Sequence, residues 1–349
     1  MVLPTSGNSI KFSEIEGEFG GHSTNAIGAY RISETYGGLT RPLDDGIPTT
    51  ADSSTPIKWS DFHGKRLNVI VDAHTDAANF RVDGKEEYTN DNVNLVGSGS
   101  GLSGVSRNAS DSSGHRVFIR VNKQIGSASG AQTNAALRTG DWEAGTPLTV
   151  DIGSDGKIIG AGGKGGDGGS GNEDGSLGEA GSAGSSGLGI DYNGTVVKVE
   201  SGGLVQAGYG GGGGGDGEGN GDGGFPFDTS ENAGGGGGGG GAGYPGGEGG
   251  DPGSADECGG SEGGTGGLTS AGDGGGGCDA GEGIDSGEGG QGADAEQSAV
   301  GGGGDGGYSA PGANGFAVTS ESGASFTWAE ESSNDSDRIV GDTNGTGVT

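Results

Sequence analysis

The sequence predicts a mostly β protein that carries a glycine-rich bundle of polyglycine-II helices, with short helices near the amino terminus and little α-helix elsewhere. Three observations predict it. Glycine supplies 93 of the 349 residues, against about 7 % in ordinary proteins. Those glycines recur locally at every third position. Between residues 67 and 153, short apolar alternations are separated by Asp, Gly, Ser and Asn clusters, which is the pattern of strands and turns.

The composition also excludes several classes. Hydrophobic residues make up 28 % and aromatics 5 %, too little apolar side chain to order a chain of this length by ordinary core burial. A compact metabolic enzyme is therefore not expected. Asp and Glu number 49 against 17 Lys and Arg, a net charge of −32, so the surface repels phosphate backbones and anionic lipid heads and nucleic acid is not an expected partner. No stretch approaches the run of about 20 apolar residues that a spanning helix needs, so no membrane insertion is expected. The start, MVLPTSGNSIKFSEIEG, lacks the basic and apolar segments of a secretory signal. Cys258 and Cys278 could form one bridge, and the sequence leaves that pairing open.

Residues 1–66 contain a duplication. Leu3-Pro4-Thr5-Ser6-Gly7 followed by Ile10-Lys11-Phe12-Ser13-Glu14-Ile15 returns as Ile47-Pro48-Thr49-Thr50-Ala51 followed by Ile57-Lys58-Trp59-Ser60-Asp61-Phe62. Each copy predicts an extended segment leading into a brief helix, capped by Ser13 or Ser60, with a carboxylate in its first turn. The apolar positions Ile10, Phe12, Ile15, Ile57, Trp59 and Phe62 are its candidate docking contacts. Residues 67–154 predict a small antiparallel β domain, with strands at 68–71, 80–82, 93–96, 117–121 and 148–152 and Trp142 packed over the sheet.

Residues 155–315 form the glycine-rich region. Gly162, Gly165, Gly168 and Gly171 are spaced by three, as are Gly160, Gly163, Gly166 and Gly169, so two faces of a three-fold helix lack side chains. Three residues per turn is the polyproline II period, with a rise of about 3.1 Å and no internal hydrogen bonds. Backbone donors must then find partners on neighbouring segments. Ordering costs about 1–2 kcal/mol per residue and a net hydrogen bond returns about 0.5–1.5 kcal/mol, so such a bundle forms cooperatively or not at all. Collagen is excluded because the triplet phase breaks repeatedly and only nine prolines are present. Insertions at 190–207, 225–232 and 251–258 interrupt the glycines. The first is expected to be a structural hairpin. Residues 316–349 are expected to supply closing strands.

If the glycine helices form a rigid block, contact chemistry belongs to the side chains at their ends. Tyr192, Tyr209, Phe225, Phe227, Tyr244 and Tyr308 lie at or beside such junctions. Aromatics on a stiff scaffold give contact area at low entropic cost and stack on sugar rings. Catalytic residues are not expected: His22, His63, His74 and His115 show no metal-ligand spacing, and no Ser, His and Asp grouping identifies a nucleophile. The G-x-G-x-x-G match at 160–165 lacks its helix and βαβ context. The approach of 162–170 to a calcium nonapeptide lacks the bulky apolar residue and serial repetition. No cofactor or metal is expected, calcium on isolated Asp clusters being the one candidate ion.

At these residues the chain resembles a tailed-phage appendage protein. Gly156-Lys157-Ile158-Ile159-Gly160-Ala161-Gly162-Gly163-Lys164-Gly165-Gly166, leading from a strand into alternating glycine runs and loops, resembles the receptor-recognising adhesins at the fibre tips of T-even-like phages. The Pro-Thr, Ile-Lys-aromatic-Ser-acid duplication resembles the start of phage tail and baseplate-associated proteins. Ser325-Phe326-Thr327-Trp328 and Arg338-Ile339-Val340-Gly341 resemble closing strands after such glycine-rich domains. The resemblance implies a virion tail fibre or fibre-tip protein, assembled in the host cytoplasm and released by lysis. It would dock on other tail, baseplate or fibre proteins through residues 1–66. Its glycine-domain loops would bind a host surface glycan or outer-surface protein, with the six aromatics above as receptor contacts. The alternative is a purely structural spike or baseplate-associated protein without receptor binding. A homotrimer and a single chain both fit.

Overall fold

The computed structural model describes residues 3–19, 21–22, 27, 33–36, 39–42, 54–65, 67–72, 82–89, 93–95, 102–103, 115–128, 131–172, 175–219, 232–256, 258–279, 286–294, 298–303, 309–320, 324–329, 338–343 and 345–346. Among them helices are few and short: α1 (Phe12–Phe19), a 3-10 turn at Trp59–Phe62, and α2 (Gly84–Thr89).

Both copies form a helical turn at the matched position, an α-helix in the first and a 3-10 turn in the second, while residues 47–51 of the second copy lie outside the described residues. The helices begin two residues earlier than expected, so Ser13 and Ser60 lie within the first turn. The carboxylate at the next-to-last position of each motif does the capping: Lys11 N–H donates to Glu14 Oε2 and Lys58 N–H to Asp61 Oδ2, both at 2.7 Å. A carboxylate in the first turn satisfies an orphan donor and suits the positive end of the helix. The copies also interlock, with Leu3 N–H bonded to Lys65 O and Gly64 N–H to Pro4 O.

The strands wind as a coil with three faces. Ahead of it lie β1 (Gly21–His22), β2 (Ser33–Tyr36) and β3 (Leu39–Pro42), of which β2 and β3 pair antiparallel. The coil begins with β4 (Leu67–Asp72) on the first face and β5 (Val82–Asp83) on the third. Then β6 (Val93–Leu95) pairs antiparallel with β4, and β7 (Leu102–Ser103) with β1.

Full circuits follow. The first is β8 (His115–Val121), β9 (Gln124–Gly126) and β10 (Ala135–Arg138); the second is β11 (Leu148–Ile152), β12 (Lys157–Ile159) and β13 (Ser186–Ile190). The third opens with β14 (Thr195–Val199) and β15 (Leu204–Gln206). After β16 (Glu218–Gly219) and β17 (Asn232–Ala233), a ribbon inside the glycine region, it is completed by β18 (Val318–Ser320). A last circuit holds β19 (Phe326–Trp328), β20 (Ile339–Val340) and β21 (Gly345–Thr346). Each strand pairs in parallel with its counterpart one circuit on, giving sheets ordered β4-β8-β11-β14-β19, β9-β12-β15-β20 and β5-β10-β13-β18-β21.

This corrects two expectations. The strands of 67–154 pair mainly in parallel, and they share their sheets with strands from beyond residue 154. Residues 190–207 are no hairpin: β13, β14 and β15 lie on three different faces. A local hairpin and a solenoid circuit show the same alternation of apolar residues, and only the long-range partner separates them.

The core is a set of ladders. Val69, Val117 and Leu148 stack on the first face, as do Val71, Ile119, Val150 and Val197. Ile125, Ile158 and Val205 do so on the second, and Leu137, Leu188 and Val318 on the third. All are buried in one cluster, with Ile15, Phe62 and Leu3 joining it from the amino-terminal copies. Trp142 belongs to this cluster and donates its indole N–H to Thr139 O at 2.6 Å. A charged ladder crosses the first face: Arg120 on β8 meets Asp151 on β11 at 3.0 Å, with both side chains at most 2 % exposed.

The glycine region leaves the coil at one corner, between the second and third faces: 160–185 links β12 to β13, and 207–317 links β15 to β18. Its backbone bonds repeat every three residues. Gly162, Gly165, Gly168 and Gly171 donate to Pro245, Glu248, Asp251 and Ser254, while Gly163, Gly166 and Gly169 donate to Tyr209, Gly212 and Gly215. On a third side Ser185, Ser182, Glu179 and Ser176 donate to Ala161, Lys164, Asp167 and Ser170. Segments this close leave no room for side chains: a Cβ on Gly165 would overlap the carbonyl of Gly238, and one on Gly166 that of Glu179. The result is a slab cored by main chain.

Candidate functional site

The slab has two ends. The end facing the coil holds the turns 243–245 and 267–271, where Tyr244 N–H bonds Gly160 O, Ser127 N–H bonds Tyr244 O, and Gly243 N–H bonds Gly267 O. At the opposite end lie Gly171 and Asn172, the paired strands β16 and β17, residues 254–256, and Cys258 and Cys278 with Ser286.

The three expected aromatic contacts among the described residues do not lie at that end. Tyr192 belongs to the coil, where its hydroxyl accepts from Thr146 N–H at 3.0 Å and donates to Glu143 O at 3.0 Å. Tyr209 is buried at the coil-facing end against Ala242 and Ala293, and burial, with Asp294 and Asp342 nearby, pushes its phenol above the usual range. Tyr244, half-buried, sits at the same end. Phe225, Phe227 and Tyr308 lie outside the described residues. Both ends of a glycine helix are punctuated by large residues, so the sequence alone does not tell them apart.

The docking candidates also divide. Ile15 and Phe62 are fully buried in the chain's own core, which removes them as contacts for another protein. Ile10, Phe12 and Ile57 pack partly against that core, and Trp59 is 45 % exposed.

The far end carries features that the sequence reading missed. A cavity of about 430 Å³ is lined by Ser170, Asn172, Asn232, Ser254 and Asp256, together with Gly171 and Ala255. Asn232 is 5 % exposed, and its Oδ1 has no hydrogen-bond partner among the described residues. Ser170 Oγ and Ser254 Oγ stand 3.4 Å apart. The available signal was the replacement of glycine by Ser and Asn where the runs end.

The cavity walls are tied together. Cys258 and Cys278 form a disulfide, settling the pairing the sequence left open. Cys258 bridges to Ala233, its carbonyl accepts from Gly234 N–H at 3.0 Å, and Ser286 Oγ donates to Gly234 O at 2.7 Å and accepts from Cys278 N–H at 2.6 Å. Nearby, burial works to raise the Asp167 carboxyl, but hydrogen bonds from Lys164 Nζ and Asp251 N–H outweigh it and hold the group below its usual value. Among the described residues no group of three His, Cys, Asp or Glu side chains is placed to hold a metal.

A slab that ends in tied polar loops, carried on a parallel coil, has the form of a presentation scaffold. The profile of the phage tail fibre adhesin Gp38 family matches residues 83–348, and the chain belongs to that family, which makes it a component of a phage virion tail. A solved structure, the crystal structure of the gp37-gp38 adhesin tip complex of the bacteriophage S16 long tail fiber, is similar at 19 % identity with a TM-score of 0.41, over 82 % of this chain and 87 % of that one. No curated protein is significantly similar.

Proposed function

We propose that this protein is the receptor-recognising tip of a tail fibre. It attaches to its fibre through the amino-terminal copies and contacts a host surface glycan or outer-surface protein with the far loops of the glycine slab. The observation that carries this reading is the direction of the insertions. Both glycine excursions leave the coil at one corner, run outward as three-residue-period helices of the polyglycine II type, and turn where tied polar side chains replace glycine. A scaffold with a main-chain core holds those loops at low conformational freedom, which lowers the ordering cost of binding. Attachment through residues 1–66 is supported by the exposed Trp59 beside Phe12.

Loop exchange tests the proposal. Replacing 225–232 and 251–258 by unrelated sequences of equal length is expected to abolish or redirect adsorption of phage to host cells. Unchanged adsorption would mean that the slab serves only as a structural spike.

A further inference from the structure

We propose that the Cys258–Cys278 disulfide is a redox-controlled clasp on the far end of the slab. Oxidised, it holds that end for adsorption; reduced, it lets the end loosen while the slab stays folded. The inference deepens the adhesin reading, and its consequence for adsorption rests on that reading.

The two cysteines sit on neighbouring segments that run in opposite directions. Gly267 N–H donates to Ser270 O, Gly264 N–H to Asp273 O and Ser261 N–H to Gly276 O, at 2.7, 2.8 and 2.9 Å. Each rung lies three residues further out on both segments. One more step of three from Ser261 reaches Cys258, and its disulfide to Cys278 stands there as the outermost rung. Ends of such ladders open first, so the covalent rung occupies the place where loosening starts.

What the rung holds is the far end itself. Cys258 bridges to Ala233, and its carbonyl accepts from Gly234 N–H at 3.0 Å, which joins it to β17. Cys278 is fastened to Ser286, whose N–H donates to Cys278 O at 3.1 Å. Further in, the same two segments are held without the disulfide. Gly263 N–H bonds Gly250 O and Gly266 N–H bonds Gly247 O, while Gly272 and Gly275 donate to Gly240 and Gly237. Breaking the disulfide therefore releases the last turn and leaves the body of the slab.

Access and surroundings make the bond switchable. Neither cysteine is buried, and exposed disulfides are the ones that exchange readily. A phage protein is made inside a cell, where thiols are kept reduced, and acts outside it. On release, the two thiols give two electrons and two protons to dioxygen, forming the S–S bond and hydrogen peroxide. A dithiol reverses the step. Its thiolate attacks one sulfur, the other cysteine leaves as thiolate, and the second thiol of the reductant then frees the attacked cysteine by closing its own disulfide.

The test compares the full-length chain and whole virions, oxidised and after treatment with dithiothreitol. In the chain, exchange of the Gly234, Gly260 and Ser286 amides is expected to accelerate about tenfold on reduction, part of what closing a loop of this length contributes. Gly263, Gly266, Gly272 and Gly275 are expected to stay unchanged. The double variant Cys258→Ser, Cys278→Ser is expected to match the reduced chain and to ignore dithiothreitol; reduction of the unaltered chain decides the matter should that variant fail to fold. In virions, adsorption to host cells is expected to fall severalfold on reduction and to return when dioxygen reforms the bond. Free thiols at both cysteines in purified virions, unchanged exchange, loss of protection throughout the slab, or adsorption indifferent to reduction would each overturn the inference. Adsorption indifferent to reduction leaves the adhesin reading standing. Absence of adsorption to any host in either state rejects the adhesin reading itself, and the exchange result then decides for or against the clasp alone.

Discussion

Phe12 and Trp59 occupy the same position in the two amino-terminal copies, and they meet edge to face with ring centroids 6.0 Å apart and planes 73° from parallel. Three residues further on, their partners Ile15 and Phe62 are equally matched, each fully buried in the coil's core. The duplication thus has an inner row that anchors the segment and an outer pair in which Phe12 packs partly on the core and Trp59 is exposed.

The two rows predict different losses. Phe62→Ala is expected to cost about 3–5 kcal/mol and Ile15→Ala about 2–5 kcal/mol of stability in urea titrations. Trp59→Ala, which loses mainly an exposed edge contact, is expected to cost about 0.5–1.5 kcal/mol while reducing incorporation of the protein into fibres. Normal incorporation of Trp59→Ala would remove the outer row from docking.

Close approach in the slab predicts a sharp contrast among glycines. Gly165→Ala drives a methyl into the Gly238 carbonyl, whereas an added Cβ on Gly303 meets nothing within 4 Å. Thermal melts should show a large drop for the first and a change within about 0.5 kcal/mol for the second, as for surface substitutions generally.

Hydrogen exchange should carry the period of the slab. Along 162–169, Gly162, Gly163, Gly165, Gly166, Gly168 and Gly169 donate to neighbouring segments, while Lys164 and Asp167 N–H do not among the described residues. Slow, slow, fast is the expected order, read residue by residue from amide spectra. Uniformly fast exchange would mean that the segments do not pack.

The buried pair on the first face predicts asymmetric damage. Asp151→Ala removes the 3.0 Å partner of the Arg120 guanidinium inside the core, and breaking a buried pair from one side costs about 3–5 kcal/mol. Glu200 reaches the same guanidinium at 3.4 Å with a side chain 22 % exposed, so Glu200→Ala is expected to cost about 1 kcal/mol or less. Denaturant titration of both variants checks the ratio.

Acid should loosen the 251–254 segment. The folded Asp167 carboxyl titrates below its ordinary value of 3.8, so its contribution is complete above that value and is lost as pH falls through the lower folded one. Exchange at the Asp251 amide, corrected for intrinsic rates, should accelerate in that acid window. Asp167→Asn is expected to show the faster rate already at neutral pH.

Much of this architecture was legible in the residues. The strands expected at 117–121 and 148–152 lie within β8 and β11, because apolar alternation reports a half-buried strand whichever way its neighbour runs. The direction of pairing was not legible. The partner of β12 is β15, beyond the first glycine excursion, and the partner of β15 is β20, beyond the second, so unequal insertions hide the circuit from any fixed-period search. The site divided similarly. The loop at 251–258 was legible as an interruption of glycine, but Asn232 was not, since its isolation follows from burial against segments far away in sequence.

The slab's interior also has a thermal consequence. Exposing apolar surface on unfolding raises the heat capacity and exposing peptide groups lowers it. A body that hides mostly peptide therefore unfolds with a small heat-capacity change per residue, and its free-energy curve against temperature is correspondingly flat. The slab would hold its shape over a wider span of temperature than an oil-cored domain of the same size, which weakens on cooling below its temperature of maximum stability.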